Sequence, residues 1–185
     1  MIPIGGSDTF TDKRVDRMLK QNGYWADPIF YSPISIAFIF LGLIFIMAFT
    51  TLIGLGVMSW MIAFPIYPVA CLSFFYLIHA RTNNSFAFSH QELIVVNSNP
   101  PFRRIKAFRY AEIEKAHIRR NFLLTPLLLL MVNYWYVEIQ SGGKTHRFHC
   151  SALDLDCFDE NQTELTLDDL YKELRRRNIS TEFDG

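Results

Sequence analysis

The sequence predicts an α+β membrane protein: a two-helix transmembrane hairpin, then an antiparallel sheet curled into an open barrel and closed by a C-terminal helix. Three observations predict it. From Pro28 to Ile78 the chain has no Asp, Glu, Lys, Arg or His, and the run is broken near its middle by Gly54 and Gly56. After Ala80, short aromatic and β-branched runs alternate with turn residues, as strands do. Near the end, LDDLYKELRRR is apolar at helical spacing, with acids first and arginines last.

The uncharged run is justified by length. A helix rises about 1.5 Å per residue, so a hydrocarbon core of about 30 Å takes roughly 20 apolar residues. The first span is expected from about Pro33 to Leu55 and the second from about Ser59 to His79. A helical hairpin buried in a protein core would carry polar residues on some face, and this run carries none. Pro65 and Pro68 would kink the second span, but without an ionisable residue nearby they do not suggest a transport path. The turn around Val57 to Ser59 is uncharged. Lys13, Arg14, Arg17 and Lys20 precede the first span, and Arg81, Arg103, Arg104 and Lys106 follow the second, which places both termini on the cytoplasmic side.

Three segments follow. Residues 1–31 form a cytoplasmic N-terminal segment whose Thr11 to Lys20 stretch reads as a short amphipathic helix. It presents Val15, Met18 and Leu19 to the membrane surface or to the cytoplasmic domain, with Trp25, Phe30 and Tyr31 at the interface level. Residues 32–80 are the two-span hairpin, and residues 81–185 are a domain large enough for one core. Within that domain, SFAFS (85–89) and LIVV (93–96) read as strands and NSNPP (97–101) as a turn. The stretches 102–110 and 113–120 read as half-exposed strands, with Ile118 inward and Lys115, His117 and Arg119 outward. YWYVEIQ (134–140) and KTHRFHC (144–150) form a hairpin closed by Ser141, Gly142 and Gly143, because adjacent glycines accept positive φ. Thr166 caps a helix over Leu167 to Arg177 whose apolar stripe is Leu167, Leu170, Tyr171 and Leu174. FLLTPLLLLMV (122–132) is too short to span, and reads as a buried strand or loop, or as a segment dipping into the bilayer surface.

Two N-terminal spans followed by FRYAEIEKAHI, YVEIQSGGKTHRFHC, an acidic stretch and LDDLYKELRRRNI resemble the membrane-anchored bacterial pleckstrin-homology-like proteins. In those proteins a strand with a Y-x-E-I step, a hairpin and a closing helix recur. The resemblance covers roughly Asn83 to Ile179; the LLTPLLLL segment departs from the family's compact strand. It implies a PH-like open barrel, an inner-membrane location and no enzymatic activity.

The residues offer no catalytic constellation of their own. His146 and His149 lie three apart on a strand and face opposite sides, so they do not share a metal ion, and His79, His90 and His117 lie apart from them. Asp154, Asp156, Asp159 and Glu160 lack the ligand spacing of a calcium loop. No serine has a GxSxG setting and no phosphate-binding loop is present. Cys71, Cys150 and Cys157 form neither a disulfide framework nor a zinc site. No catalytic residue, metal or cofactor is therefore expected. The 18 basic and 18 acidic residues leave a formal net charge of zero, which argues against a nucleic-acid partner.

The candidate site is the basic set Arg103, Arg104, Lys106, Arg109, Lys115, Arg119 and Arg120. Its plain reading is a solvated sheet face. Its functional reading is contact with anionic headgroups, worth about 1 kcal/mol per basic residue held at the surface. The expected protein is thus a non-catalytic, multi-pass inner-membrane protein whose PH-like domain binds or scaffolds another membrane or cytoplasmic protein, or anionic membrane lipids. A homo-oligomer fits the same reading. The alternative is a membrane-resident immunity or defence subunit that neutralises a toxin.

Overall fold

The computed structural model describes residues 10–32, 36–54, 68–70, 72–74, 76–77, 80–120, 135–150 and 166–184. Two four-stranded sheets and helices over 10–21, 36–54 and 167–176 organise them. Helix α1 (Phe10–Gln21) leads into strand β1 (Ile29–Phe30), and helix α2 (Ile36–Gly54) follows. The first sheet has the order β1-β2-β3-β4, with β2 (Ser85–Phe88), β3 (Glu92–Asn97) and β4 (Arg104–Arg109), and all its pairs are antiparallel. A single 3-10 turn (Tyr110–Glu112) leads to β5 (Ile113–Arg120). The second sheet has the order β7-β6-β5-β8, with β6 (Trp135–Ser141), β7 (Lys144–His149) and β8 (Thr181–Asp184). Helix α3 (Leu167–Arg176) precedes β8.

The apolar pattern explains this layering. Along β2 and β3 both parities are buried, so neither strand alternates. Phe86, Phe88, Leu93 and Val95 face the core shared with Ile118, Trp135, Val137 and Ile139 of the second sheet and with Leu167, Leu170 and Leu174 of α3. Ala87, Ile94 and Val96 face the other way, against Val15 and Leu19 of α1. A strand covered on both sides reads as a continuous apolar run, which is why LIVV shows no period of two. The same cause makes the alternation of β4 imperfect: Phe108 belongs to the inter-sheet core, while Ile105 and Ala107 pack toward α1.

The hairpin lies where the glycines place it, with Gly142 at φ 57° and Gly143 at φ 69° and Ser141 paired with Lys144. Two successive positive φ values give the turn whose twist suits two antiparallel strands. Thr166 caps α3: its hydroxyl accepts from the Asp169 backbone N–H at 3.3 Å, while the Asp169 carboxylate accepts from the Thr166 N–H at 3.1 Å. A Thr166→Ala exchange is expected to lower stability by about 1 kcal/mol, read as a shift of the urea midpoint. No shift would remove the cap from the account.

The expected membrane hairpin is overturned. Among the described residues no helix is long and apolar enough to cross a membrane. Helix α2 is described over Ile36–Gly54, 19 residues. Along the expected second span, Ser59 to His79, helical conformation is described only at 68–70, 72–74 and 76–77. The transmembrane part of the expected fold class, the membrane and transmembrane assignment, and the multi-pass inner-membrane location with both termini cytoplasmic fall together.

Three further corrections concern the sheets. β8 joins β5 in parallel, so the second sheet is mixed where an antiparallel one was expected. Phe30, expected at a membrane interface, is fully buried edge-on to Phe88. His117, expected outward and solvated, is 6% exposed because β8 covers it. The segment 122–132 and the acids at 154, 156, 159 and 160 lie outside the described residues, as do Cys71 and Cys157. Cys150 is buried, and burial pushes its thiol pKa up.

Candidate anion site at the edge between the sheets

Strands β4 and β7 form the outer edges of their respective sheets, and their side chains meet. Phe108 and Phe148 pack edge to face with centroids 5.8 Å apart, and Phe108 lies 5.4 Å from the His146 ring. The period of two then fixes the rest. Arg104, Lys106 and Phe108 share one face of β4, and Lys144, His146 and Phe148 share the facing side of β7. Two aromatic residues at the inner end thus bring two basic runs together at the rim.

There the Lys106 ammonium sits 2.9 Å from Nδ1 and 3.1 Å from Nε2 of His146, and 5.0 Å from the centre of the Phe108 ring. Lysine only donates, so the imidazole nitrogen it meets accepts and His146 is neutral in this contact. Arg104 lies over Phe148 at 5.7 Å and donates to Asn84 Oδ1 at 3.3 Å. Asn84 in turn donates to the His149 carbonyl at 2.7 Å through its side chain and at 3.2 Å through its backbone N–H. That contact ties the start of the first sheet to the end of β7 and holds Arg104 beside His149.

The local charge is of one sign. The Lys106 pKa is lowered by burial, then by Arg104 and Lys144. That of His146 is lowered by burial, then by Lys106 and Lys144. That of His149 is lowered by burial, then by Arg147, Arg81 and Arg104. Among the described residues, the charged groups that lower these three pKa values are all cations. The one carboxylate bound to the cluster among the described residues is Glu138, which Arg147 contacts closely from the opposite face of β7.

The seven basic residues singled out from the sequence do not form one surface. Arg104 and Lys106 enter the cluster just described, and Arg103 is exposed just before it. Arg109 is turned toward Glu92 and Glu112, at 3.8 and 3.9 Å. Lys115 contacts Glu182 closely, and Arg119 sits 2.9 Å from Asp184 and 3.7 Å from Glu138. Arg120, at the end of β5, is half-buried. The five cluster members that sequence reasoning passed over, Arg81, Lys144, His146, Arg147 and His149, lie far from 103–120 in the chain. The signal for two of them was the K-x-H-x-F alternation of β7, which puts Lys144 and His146 on the side of an inward Phe148.

His146 and His149 face opposite sides of β7: His146 meets Phe108, and His149 meets Tyr136 with centroids 5.9 Å apart. No group of three or more His, Cys, Asp or Glu able to hold a metal occurs among the described residues.

Taken together, fold and cluster define a two-sheet α+β module, closed by a helix, with a cation-lined edge. No family model, no curated protein and no solved structure matches the chain.

The pH response has a definite sign. Both histidine pKa values are lower folded than unfolded, so between those values the unfolded chain binds more protons. Their contribution is fully present above the unfolded value of about 6.5 and is lost as pH falls through it toward the folded values. Stability of the ligand-free chain should therefore drop as pH is lowered below about 6.5. Denaturation midpoints of the wild-type chain and a His146→Gln, His149→Gln variant should show the variant with a flatter profile.

Proposed function

We propose that this chain is a non-catalytic binding module of pleckstrin-homology-like architecture, and that the β4/β7 edge takes a phosphate-bearing anion. What supports the architecture is the pair of sheets closed by α3 and the hairpin that turns at Gly142 and Gly143, as expected from YVEIQSGGKTHRFH. One observation carries the ligand: Lys106 is held by a neutral imidazole where a carboxylate would be the usual partner, among Arg104, Lys144 and the other cations. Gathering like charges at one edge disfavours the folded state. A bound anion removes that repulsion and accepts charge-assisted hydrogen bonds worth about 1.5–3 kcal/mol each. Guanidinium, ammonium and imidazole donors at one rim suit the several oxygens of a phosphate group.

Because protonation of His146 then becomes favourable, anion binding should tighten as pH falls below about 6.5. The test is a titration of the whole chain with inorganic phosphate, followed by amide and imidazole chemical shifts. Parallel flotation uses phosphatidylcholine vesicles with and without phosphatidylglycerol. Binding of phosphate alone points to a soluble phosphorylated ligand; flotation only with the anionic lipid points to a headgroup. Arg104→Glu and Lys106→Glu should each weaken the interaction roughly tenfold or more, one such hydrogen bond's worth. Equal binding by wild type and both variants, or binding to neither probe, refutes the site.

A further inference from the structure

A second site lies on the other edge of the second sheet and is independent of the cation cluster. β8 is four residues long, and none of them is buried, unlike the strands it continues. Its register places Glu182 beside His117, Phe183 beside Ile118 and Asp184 beside Arg119. Alternation sends Glu182 and Asp184 to the outer face, where Glu182 contacts Lys115 closely and His117 Nδ1 at 3.0 Å, and Asp184 lies 2.9 Å from Arg119 Nε. Phe183 turns the other way, stacked on Trp135 at 5.3 Å and edge-on to Tyr171 of α3 at 5.8 Å.

The groove between β5 and α3 thus reads three features in a row: an acid, an aromatic ring and an acid on extended backbone. Strand-edge hydrogen bonds supply affinity that does not depend on sequence, and the alternating pockets supply the choice. The strand that fills it is lightly held. It pairs in parallel, the weaker mode per residue, and its two carboxylate side chains are 51% and 61% exposed. The last buried residue before it is Ile179, 4% exposed, whose N–H bonds the Leu174 carbonyl at 3.2 Å. Helix α3 is therefore anchored upstream of β8, so β8 leaves without unseating it.

We propose that this groove is a receptor for an extended acidic-aromatic-acidic segment of a partner protein, and that β8 is its built-in occupant. Charge complementarity names the partner's chemistry: Lys115, His117 and Arg119 require flanking carboxylates, and the Trp135/Tyr171 pair requires a ring. The short tether from Ile179 keeps β8 at a high local concentration, so a partner segment binds only by outcompeting it.

The test uses the full chain and a fluorescent peptide with the sequence of residues 178–184 as probe. Wild type is expected to bind it weakly. Phe183→Ala, which frees the groove, should bind it at least tenfold more tightly. Adding Arg119→Glu to that variant should abolish the gain, and a peptide with alanine in place of its phenylalanine should not bind. Asp184→Lys, at an exposed position, should give a smaller gain in the same direction. The proposal is overturned if Phe183→Ala binds no more tightly than wild type, if the alanine peptide binds equally, or if Phe183→Ala loses its near-ultraviolet circular dichroism. That last result would make β8 a structural strand. A concentration-dependent dimer of the wild type, lost in Phe183→Ala, would assign the groove to a second copy and overturn the partner reading.

Discussion

Replacing Trp135 by alanine is expected to cost about 3–5 kcal/mol, a large share of the roughly 5–15 kcal/mol that hold a domain together. Trp135 is 1% exposed, opens β6 and sits in the core between the two sheets. Its removal leaves a cavity bounded by strands whose backbone ladders resist collapse. It also removes the ring on which Phe183 stacks, so β8 should loosen with it. A urea titration should show a lower midpoint with the slope little changed. Trp25 supplies the internal control. It is 87% exposed, and its alanine variant should remain within about 0.5 kcal/mol of wild type. A loss below about 1 kcal/mol at Trp135 would mean that the site closes over the deleted ring, contrary to the packing described.

Arg177 comes second, with an expected loss of about 2–4 kcal/mol on exchange for alanine. It follows α3 directly and joins three elements. Its Nε donates to Glu173 at 2.9 Å, its Nη1 donates to the Ser89 carbonyl at 3.1 Å beyond β2, and its guanidinium lies 5.5 Å over the Tyr110 ring. The Glu173 side chain is only 10% exposed, and without Arg177 its remaining partner is Arg176, 3.6 Å away and largely in solvent. Truncation therefore strands a buried carboxylate, which accounts for most of the expected loss. Lysine at the same position keeps the charge but not the forked geometry and should fall between wild type and alanine. Tyr110 offers a second readout. Burial raises its phenol pKa and Arg177 pulls it back down, so the alanine variant should titrate at still higher pH by ultraviolet absorbance. An unchanged tyrosine titration would separate Arg177 from that ring.

How legible these features were varied with how local they are. The hairpin, the cap at Thr166 and the stripe of α3 depend on residues a few positions apart, and each stands where its pattern placed it. The strands β2 to β7 likewise follow their aromatic and β-branched runs to within a few residues. β1 and β8 escaped, because two residues of one and four of the other carry no period worth reading. Pairing with a distant partner makes each of them a strand. Helix α2 was legible as a helix from its apolar run, but the step from apolar composition to a membrane span failed, since no helix among the described residues is long and apolar enough to cross a membrane.

The candidate site shows the same division more sharply. Seven basic residues close together in the chain looked like one surface. Folding distributes them over an edge and two ion-paired faces, and brings Lys144 and His146 from another strand to two of them. By itself the amino-acid order determined the local geometry: where glycine permits a turn, where a threonine starts a helix, and which side chains share a face. The tertiary structure alone decided which cations meet acids and which gather with one another. Coulomb interactions act over a few ångströms of space regardless of separation along the chain, and the packing of Phe108 on Phe148 sets those ångströms at the β4/β7 edge.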